Sequence, residues 1–391
     1  MLGHRRMVTD EGPPGAPLTA RQLNRATLDR QLLLHRAPVS ATDAVRRVVA
    51  LQAQEPASPY IALWDRIDGF EPMDLDSAFT SGSVIKASLL RFTLHGVHAD
   101  DYRAFHEAMA GRLGASRPYD AELASTGVMT AEADALLPDL LDFLGRPRMK
   151  AEIEAFMQER LGERGPDAWR ALRTLVPLVH APTGGPWSFA LRPSFLAAPR
   201  GPGPVEGEAA VRHLVRRYLK GFGPASIPDI AQFTLLQRTV VRRAVESMVA
   251  DLVEFEGPGG TPLYDLLGMT MPPEDTTAPP RLLPMWDSVL LAYRDRTRLV
   301  PETYRRLITR QNGDTLSTLL VDGHVAGVWR PVEGGIEATA FHPLSDQAWQ
   351  GLATEARALI AFLAQRDPNV YRRYGHWWAK MPVFETRLLP G

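Results

Sequence analysis

The chain contains no cysteine. That excludes disulfide bonds, thiolate metal sites and a cysteine nucleophile together. Lysine is scarce: Lys86, Lys150, Lys220 and Lys380 stand against 40 arginines. Few amines are therefore on hand to form a Schiff base, whereas arginine suits forked contacts to phosphate. Coding bias in a GC-rich genome explains the same skew, and the abundant Ala, Gly and Pro agree with it. No apolar run approaches the length of a membrane span. The ten histidines show no zinc-ligand spacing, and Gly223, Gly259 and Gly260 read as turn glycines rather than a phosphate-binding fingerprint. These absences predict a cytoplasmic protein with no metal and no cofactor.

At 391 residues, with 45% hydrophobic and 23% charged residues, the chain has an ordinary globular composition and length for two to four structural units. The net charge of −1 excludes a uniformly basic nucleic-acid binder. Charge is uneven, however: residues 281–391 carry 14 Arg and Lys against 11 Asp and Glu, so any nucleic-acid footprint is a local patch. Residues 1–17 carry His4, Arg5 and Arg6 without an apolar stretch, and read as a disordered leader rather than a signal peptide.

Periodicity places a helix over Leu18–Leu34 with Thr19 as N-cap, and a second through Val49 and Leu51 capped by Ser40 or Thr42. Glu55-Pro56 marks a stop, because the residue before proline is pushed out of helical geometry. A short helix over Ser58–Ile67, strands within Ser83–Val97 and a helix over Ala99–Leu113 follow. Three helices and then a strand pair is the winged-helix order. The pattern recurs over 148–204, with helices at Arg148–Leu161 and Pro166–Val179, a Gly184-Gly185 turn and a linker at Pro199–Pro204. It recurs again over 205–275, with helices at Glu208–Gly221 and Leu236–Leu252 and a Pro-Gly-Gly wing. Residues 276–391 turn β-rich, with a hairpin around Asp322-Gly323, a second turn at Gly334-Gly335 and an amphipathic helix over Leu344–Gln365. The fold class predicted is α+β: three tandem winged helix-turn-helix units (18–147, 148–204 and 205–275) and a barrel-like C-terminal part.

Five segments stand in the order seen in one known family: Leu51-Gln52-Ala53-Gln54, Arg91-Phe92-Thr93-Leu94-His95, Tyr218–Ala225, Leu282–Asp287 and Asp322–Arg330. The chain resembles the AlkZ-like, YcaQ-related winged-helix DNA glycosylases over nearly everything after residue 17. The resemblance implies excision of N7-alkylated guanine from double-stranded DNA, in some members the unhooking of interstrand crosslinks, and in some protection of an antibiotic producer. It also implies that Gln52 and Gln54 are the catalytic pair, with Ala53 in place of the bulkier apolar residue often found between them. Without it, the two glutamines read as solvated side chains at a helix end.

Two amides suffice for such a substrate. Most glycosidic cleavage needs an acid for the leaving group and a base for the water. N7-alkylguanine is already cationic and departs neutral, so the acid is dispensable. A glutamine carbonyl is too weak to be an ordinary base, but as a fixed dipole it orients water and stabilises an oxocarbenium-like sugar. Geometry imposes a condition. Residues two apart oppose each other on a helix and share a face on extended chain. Gln52 and Gln54 therefore act together only if the helix ends by about Gln52. Glu55 points elsewhere by parity and reads as a helix-ending or surface residue.

Other candidates carry two readings each. His95 is a wing histidine bonded to backbone, or a DNA contact beside Thr93. Arg294, Arg296 and Arg298, if on a strand, make one basic edge for phosphates; otherwise they are solvated or ion-paired. Arg310-Gln311-Asn312-Gly313 reads as a polar hairpin tip, which the resemblance would send into the duplex. Of Trp377 and Trp378, at least one ring packs into the core, and base stacking is the alternative. The expected product is a monofunctional hydrolase without lyase activity. No heptad or dimer helix is evident, so a monomer is expected. The rival is a non-enzymatic winged-helix protein, either a transcription regulator or a drug-sequestering resistance protein.

Overall fold

The computed structural model describes residues 16–116, 123–173, 176–190, 192–199, 207–381 and 384–391. Most of the expected leader and of the expected Pro/Gly linker lies outside the described residues. Helix α1 spans Ala20–Arg30, closed at its start by a capping box between Thr19 and Gln22. It packs against the later helix over Gly207–Phe222, with the Arg30 guanidinium donating to the Leu219 carbonyl. Arg30 forms a buried bidentate pair with Asp265 at 2.9 and 2.6 Å, and Asn24 donates to the carbonyls of Arg298 and Gly323. Gly323, at φ +78°, cannot carry a side chain there, since a Cβ would lie 2.6 Å from Asn24 Oδ1 and from Leu28 Cδ1.

The next segment runs α2 (Ala41–Val48), β1 (Leu51–Gln52), α3 (Ser58–Trp64), α4 (Pro72–Ser81), β2 (Val84–Ser88) and β3 (Leu94–His98), with sheet order β1-β3-β2. Ser40 caps α2 by accepting from the Asp43 N–H. Helix α5, Ala99–Ser116, follows. The same order recurs in α6 (Thr130–Phe143), β4 (Arg148–Met149), α7 (Lys150–Leu161), α8 (Gly165–Leu172), β5 (Leu178–Ala181) and β6 (Ser194–Ala197), again with the first strand beside the third. This second segment packs its own core around Leu140, Ile153, Met157, Trp169 and Leu172. A third instance runs α9 (Gly207–Phe222), α10 (Ile227–Thr234), α11 (Arg238–Ser247), β7 (Leu252–Glu256) and β8 (Pro262–Leu266). Its first strand shrinks to a single bridge, Ala225 to Tyr264. Ser226 closes the start of α10 with a capping box to Asp229.

The C-terminal part holds β9 (Arg281–Leu283), α12 (Glu302–Ile308), β10 (Thr318–Val321), β11 (His324–Val332), β12 (Gly335–Ala340), α13 (Asp346–Ala364) and β13 (Glu385–Pro390). The expected barrel does not form. The sheet is open and antiparallel, in the order β13-β12-β11-β10-β9, with its two edge strands unpaired to each other. The physical reason is α13, which lies against β9, β12 and β13. Its buried Trp349, Leu352, Leu359 and Phe362 cover the apolar face that closure would otherwise hide. No helix among the described residues is long and apolar enough to cross a membrane.

Candidate active site around Gln52 and Gln54

Helix α2 ends at Val48, and Val49 turns the chain with φ +76°. The next residues are extended: Leu51 pairs with Gly96, Gln52 with His95, and the Ala53 N–H donates to the Leu94 carbonyl at 2.7 Å. The condition for a cooperating pair is thus met by the backbone. The segment is braced from the other side by the C-terminal part. Ser288 donates to the Ala50 carbonyl at 2.8 Å, Tyr371 bonds Ser58, and Glu55 pairs with Arg373 and accepts from Tyr374. Glu55 is therefore an anchor for the cationic aromatic segment around residue 374.

The side chains nonetheless meet different surroundings. Gln52 is 6% exposed and its Oε1 accepts from Arg91 Nη2 at 2.7 Å. Gln54 is exposed and lines a cavity of about 420 Å³ together with Lys86, Ser88, Phe92, His180 and Arg373. Gln52 does not line that cavity. The strand register explains the division. Lys86, Gly96 and Leu51 stand abreast on one face of the sheet, and Ala87, His95 and Gln52 on the other. Beyond Ala53 the chain bends out of the ladder and brings Gln54 to the cavity.

Arg91 and Phe92 form the tip of the β2–β3 hairpin, with φ +52° and +54°. Left-handed geometry at two consecutive non-glycine residues is costly, about 1–2 kcal/mol each, and such strain concentrates at functional turns. Here it sends Arg91 across to Gln52 while Phe92 reaches the cavity. Arg91 also donates to the Phe233 carbonyl at 3.3 Å and lies over that ring at 4.9 Å. Among the described residues it has no carboxylate partner. Burial, and then the charge of Arg296, bring its pKa down to about 9.

His95 is fully buried, with Nδ1 2.9 Å from the Thr93 carbonyl and Nε2 3.3 Å from Arg91. That is the backbone-bonded histidine, withdrawn from any DNA surface. Burial first, then Arg91, holds it neutral with a pKa of about 3. One consequence is testable by urea unfolding. Between about pH 6.5 and 3 the unfolded chain binds a proton that the native chain does not, so this contribution is full above pH 6.5 and falls as pH drops toward 3. We expect a loss of about 1.4 kcal/mol per pH unit at the steepest. In the His95→Gln variant that part of the slope should vanish; an unchanged slope would assign the acid sensitivity to other groups.

The arginine edge expected of Arg294, Arg296 and Arg298 is not formed. The Asp295 side chain accepts from the Thr297 N–H and caps a tight helical turn, Arg296–Arg298, so the three do not alternate as on a strand. Arg294 is exposed. Arg298 is buried, donates to the Pro224 carbonyl at 3.0 Å and lies over Tyr293, which makes it a structural cation. Arg296 is half-buried, donates to Thr309 Oγ1 at 3.2 Å, and is lowered to about 10 by burial and then Arg305. Arg310 opens a tight turn in which the Gly313 N–H donates back to its carbonyl; its guanidinium donates to the Trp377 carbonyl at 3.3 Å. Asn312 is exposed and bonds Asp314 within that turn. Trp378 is buried. Among the described residues no cluster of three His, Asp or Glu side chains is arranged to hold a metal ion.

Sequence reasoning missed Lys86, His180 and Arg373. They come from strands and turns remote in sequence, and no local signal marks them as neighbours of Gln54.

The molecule is thus an α+β protein built on a repeated helix–strand–helix–helix–hairpin plan, with a cleft that brings Gln54 beside Lys86, His180 and Arg373. It belongs to the AlkZ-like DNA glycosylase family, whose model matches residues 45–362. It is similar to an interstrand DNA cross-link repair glycosylase of Streptomyces sahachiroi, 28% identical over 349 residues, covering 82% of this chain and 90% of that protein. The solved structure of the Streptomyces sahachiroi DNA glycosylase AlkZ shares its fold, with a TM-score of 0.75 at 21% identity, covering 90% of this chain and 99% of that one.

Proposed function

We propose that the protein is a DNA glycosylase that hydrolyses the N-glycosidic bond of N7-alkylated guanine in double-stranded DNA, working as a cytoplasmic monomer. The observation that carries this reading is the extended Leu51–Gln54 segment, which sets Gln54 at a cavity between two hairpin units in a chain of glycosylase family. The repeated helix–strand–helix–helix–hairpin plan supports reading the three units as winged helices. Gln54 orients the attacking water by its carbonyl dipole and stabilises positive charge on the sugar. No general acid is required, because the cationic base departs neutral. Intact guanine, a poor leaving group, is left alone.

Gln52 is the second amide, and in the DNA-free state its carbonyl is held by Arg91. A DNA phosphate is the partner that draws Arg91 away, since no carboxylate among the described residues competes for it. Arg296, also without a carboxylate partner among the described residues, lies close enough to lower the Arg91 pKa and completes a cationic docking point for an anion. Phosphate pairing has a measurable signature. The slope of log Kobs against log salt for duplex binding should become less steep by about 0.9 in Arg91→Met, one phosphate contact's worth. An unchanged slope would confine Arg91 to supporting Gln52.

The substrate class extends to interstrand crosslinks, in line with the similarity to an interstrand DNA cross-link repair glycosylase of Streptomyces sahachiroi. It extends also to bulky adducts of the kind an alkylating antibiotic leaves, because Gln54 is exposed rather than sealed in a snug pocket. The direct test is base release from N7-methylguanine duplex and from a crosslinked duplex, read as alkali-labile strand breaks. A footprint on one specific operator without base release would instead establish a non-enzymatic DNA-binding protein.

A further inference from the structure

We propose that Lys86 condenses with the abasic sugar left after base release and cuts the strand by β-elimination, so that one cavity serves excision and nicking. The inference rests on the glycosylase reading above, since that reaction supplies the aldehyde. Scarcity of lysine predicts the opposite, a monofunctional enzyme, but one of the four lysines lies in the cavity beside Gln54.

Three observations converge on it. First, Lys86 is 5% exposed and has no carboxylate or hydrogen-bond acceptor among the described residues; its Nζ rests 4.2 Å from the Phe189 ring centroid. Three buried arginines are matched with acids, in Arg30–Asp265, Arg66–Asp287 and Arg217–Asp101, and buried Arg298 has the Pro224 carbonyl as acceptor. Second, Lys86 lines the same cavity as Gln54, so the amine and the excision amide border one space. Third, a chain that uses arginine ten times as often as lysine keeps an amine here. A guanidinium meets any need for positive charge, but it neither deprotonates nor condenses with an aldehyde. Burial reinforces the geometry: it lowers the Lys86 ammonium to about 8, against a smaller opposing effect of Glu55. A useful fraction of the amine is therefore neutral near pH 8.

The chemistry closes without a cofactor. The neutral Nζ adds to C1′ of the ring-opened abasic sugar, and the carbinolamine loses water to give a protonated imine. The imine makes the C2′ hydrogen acidic, and that proton passes to solvent water. Its electron pair forms the C2′–C3′ double bond as the C3′–O bond breaks and the 3′ phosphate leaves. Hydrolysis of the imine returns the Lys86 amine and an unsaturated aldehyde at the cut end.

The test uses the full chain and a duplex with a preformed abasic site, so it does not depend on base release. With sodium cyanoborohydride the wild-type protein should form a covalent DNA adduct, in yield rising from pH 7 to 8.5, and peptide mapping should place it on Lys86. Without the reductant, the strand should be cut 3′ to the site. Lys86→Arg should lower both adduct and cutting by tenfold or more. Absence of the adduct with wild-type protein, mapping to another amine, or an undiminished yield in Lys86→Arg would overturn the proposal. Mapping on the wild-type protein decides even if the variant fails to fold. Loss of this activity with intact release of N7-methylguanine would reject Lys86 chemistry alone. Loss of base release with intact adduct formation would reject the glycosylase reading alone.

Discussion

Replacing Gln54 with alanine is expected to slow single-turnover release of an N7-alkylated base by about 10²–10³-fold, the scale of removing one fixed dipole from an active site. Gln54 is the amide that faces the cavity, and Ala53 before it is the last residue held in the strand ladder. The loss should appear in the chemical step, with duplex affinity changed little. Gln52→Ala should behave differently. It frees Arg91 from its 2.7 Å hydrogen bond, so affinity for undamaged duplex should hold or rise while base release falls. Rapid-quench kinetics beside equilibrium binding separate the two effects. Full activity in both variants would place the chemistry elsewhere in the cavity.

Replacing Asp287 with alanine is expected to destabilise the protein by about 3–5 kcal/mol, as happens when one partner of a buried ion pair is removed and the other charge is stranded. Asp287 accepts two hydrogen bonds from Arg66, both at 2.9 Å, and both side chains are 1% exposed. The pair joins the second residue after α3 to the turn that follows β9. The adjacent Ser288 holds the Ala50 carbonyl, so the same joint positions the segment leading to Gln52. Asp287→Ala should therefore lower the urea midpoint markedly, and any activity of the folded fraction should fall as well. A paired Arg66→Met, Asp287→Leu exchange removes both charges and should recover much of the stability. Stability equal to wild type in Asp287→Ala would mean that water replaces the lost carboxylate.

Locally encoded features were legible in the sequence. Thr19 caps the helix it was expected to cap, and of the two candidates Ser40 and Thr42 it is Ser40 that caps α2, since an N-cap depends on a few adjacent residues. Asp322-Gly323 turns β10 into β11 with φ +45° and +78°, and Gly334 turns β11 into β12 with φ +83°, as tight hairpins require. The errors arose where a distant partner decides. Residues 294–298 alternate in sequence as a strand would, but Asp295 caps its own turn and the Pro224 carbonyl draws Arg298 inward. The sheet opens instead of closing because α13 reaches its apolar face. At the candidate site, spacing set only a condition, that the helix end by about Gln52; it ends at Val48, short of the expected Leu51. The separation of Gln52 from Gln54 depends on Arg91, 39 residues away from Gln52, and the cavity depends on strands from another unit. Pairings at that range leave no periodicity to read.

Base excision leaves a free base and a lesion in the strand, and both can be measured in one reaction. Duplex DNA carrying a single N7-methylguanine is incubated with excess protein, the released base is quantified by mass spectrometry, and the DNA is treated with alkali. We expect release of free N7-methylguanine with a matching strand break at that position after alkali, no release of guanine from the unmodified duplex, and a loss of about two orders of magnitude or more in Gln54→Ala. Binding to the alkylated duplex with no free base, and no break above the unmodified control, would contradict it.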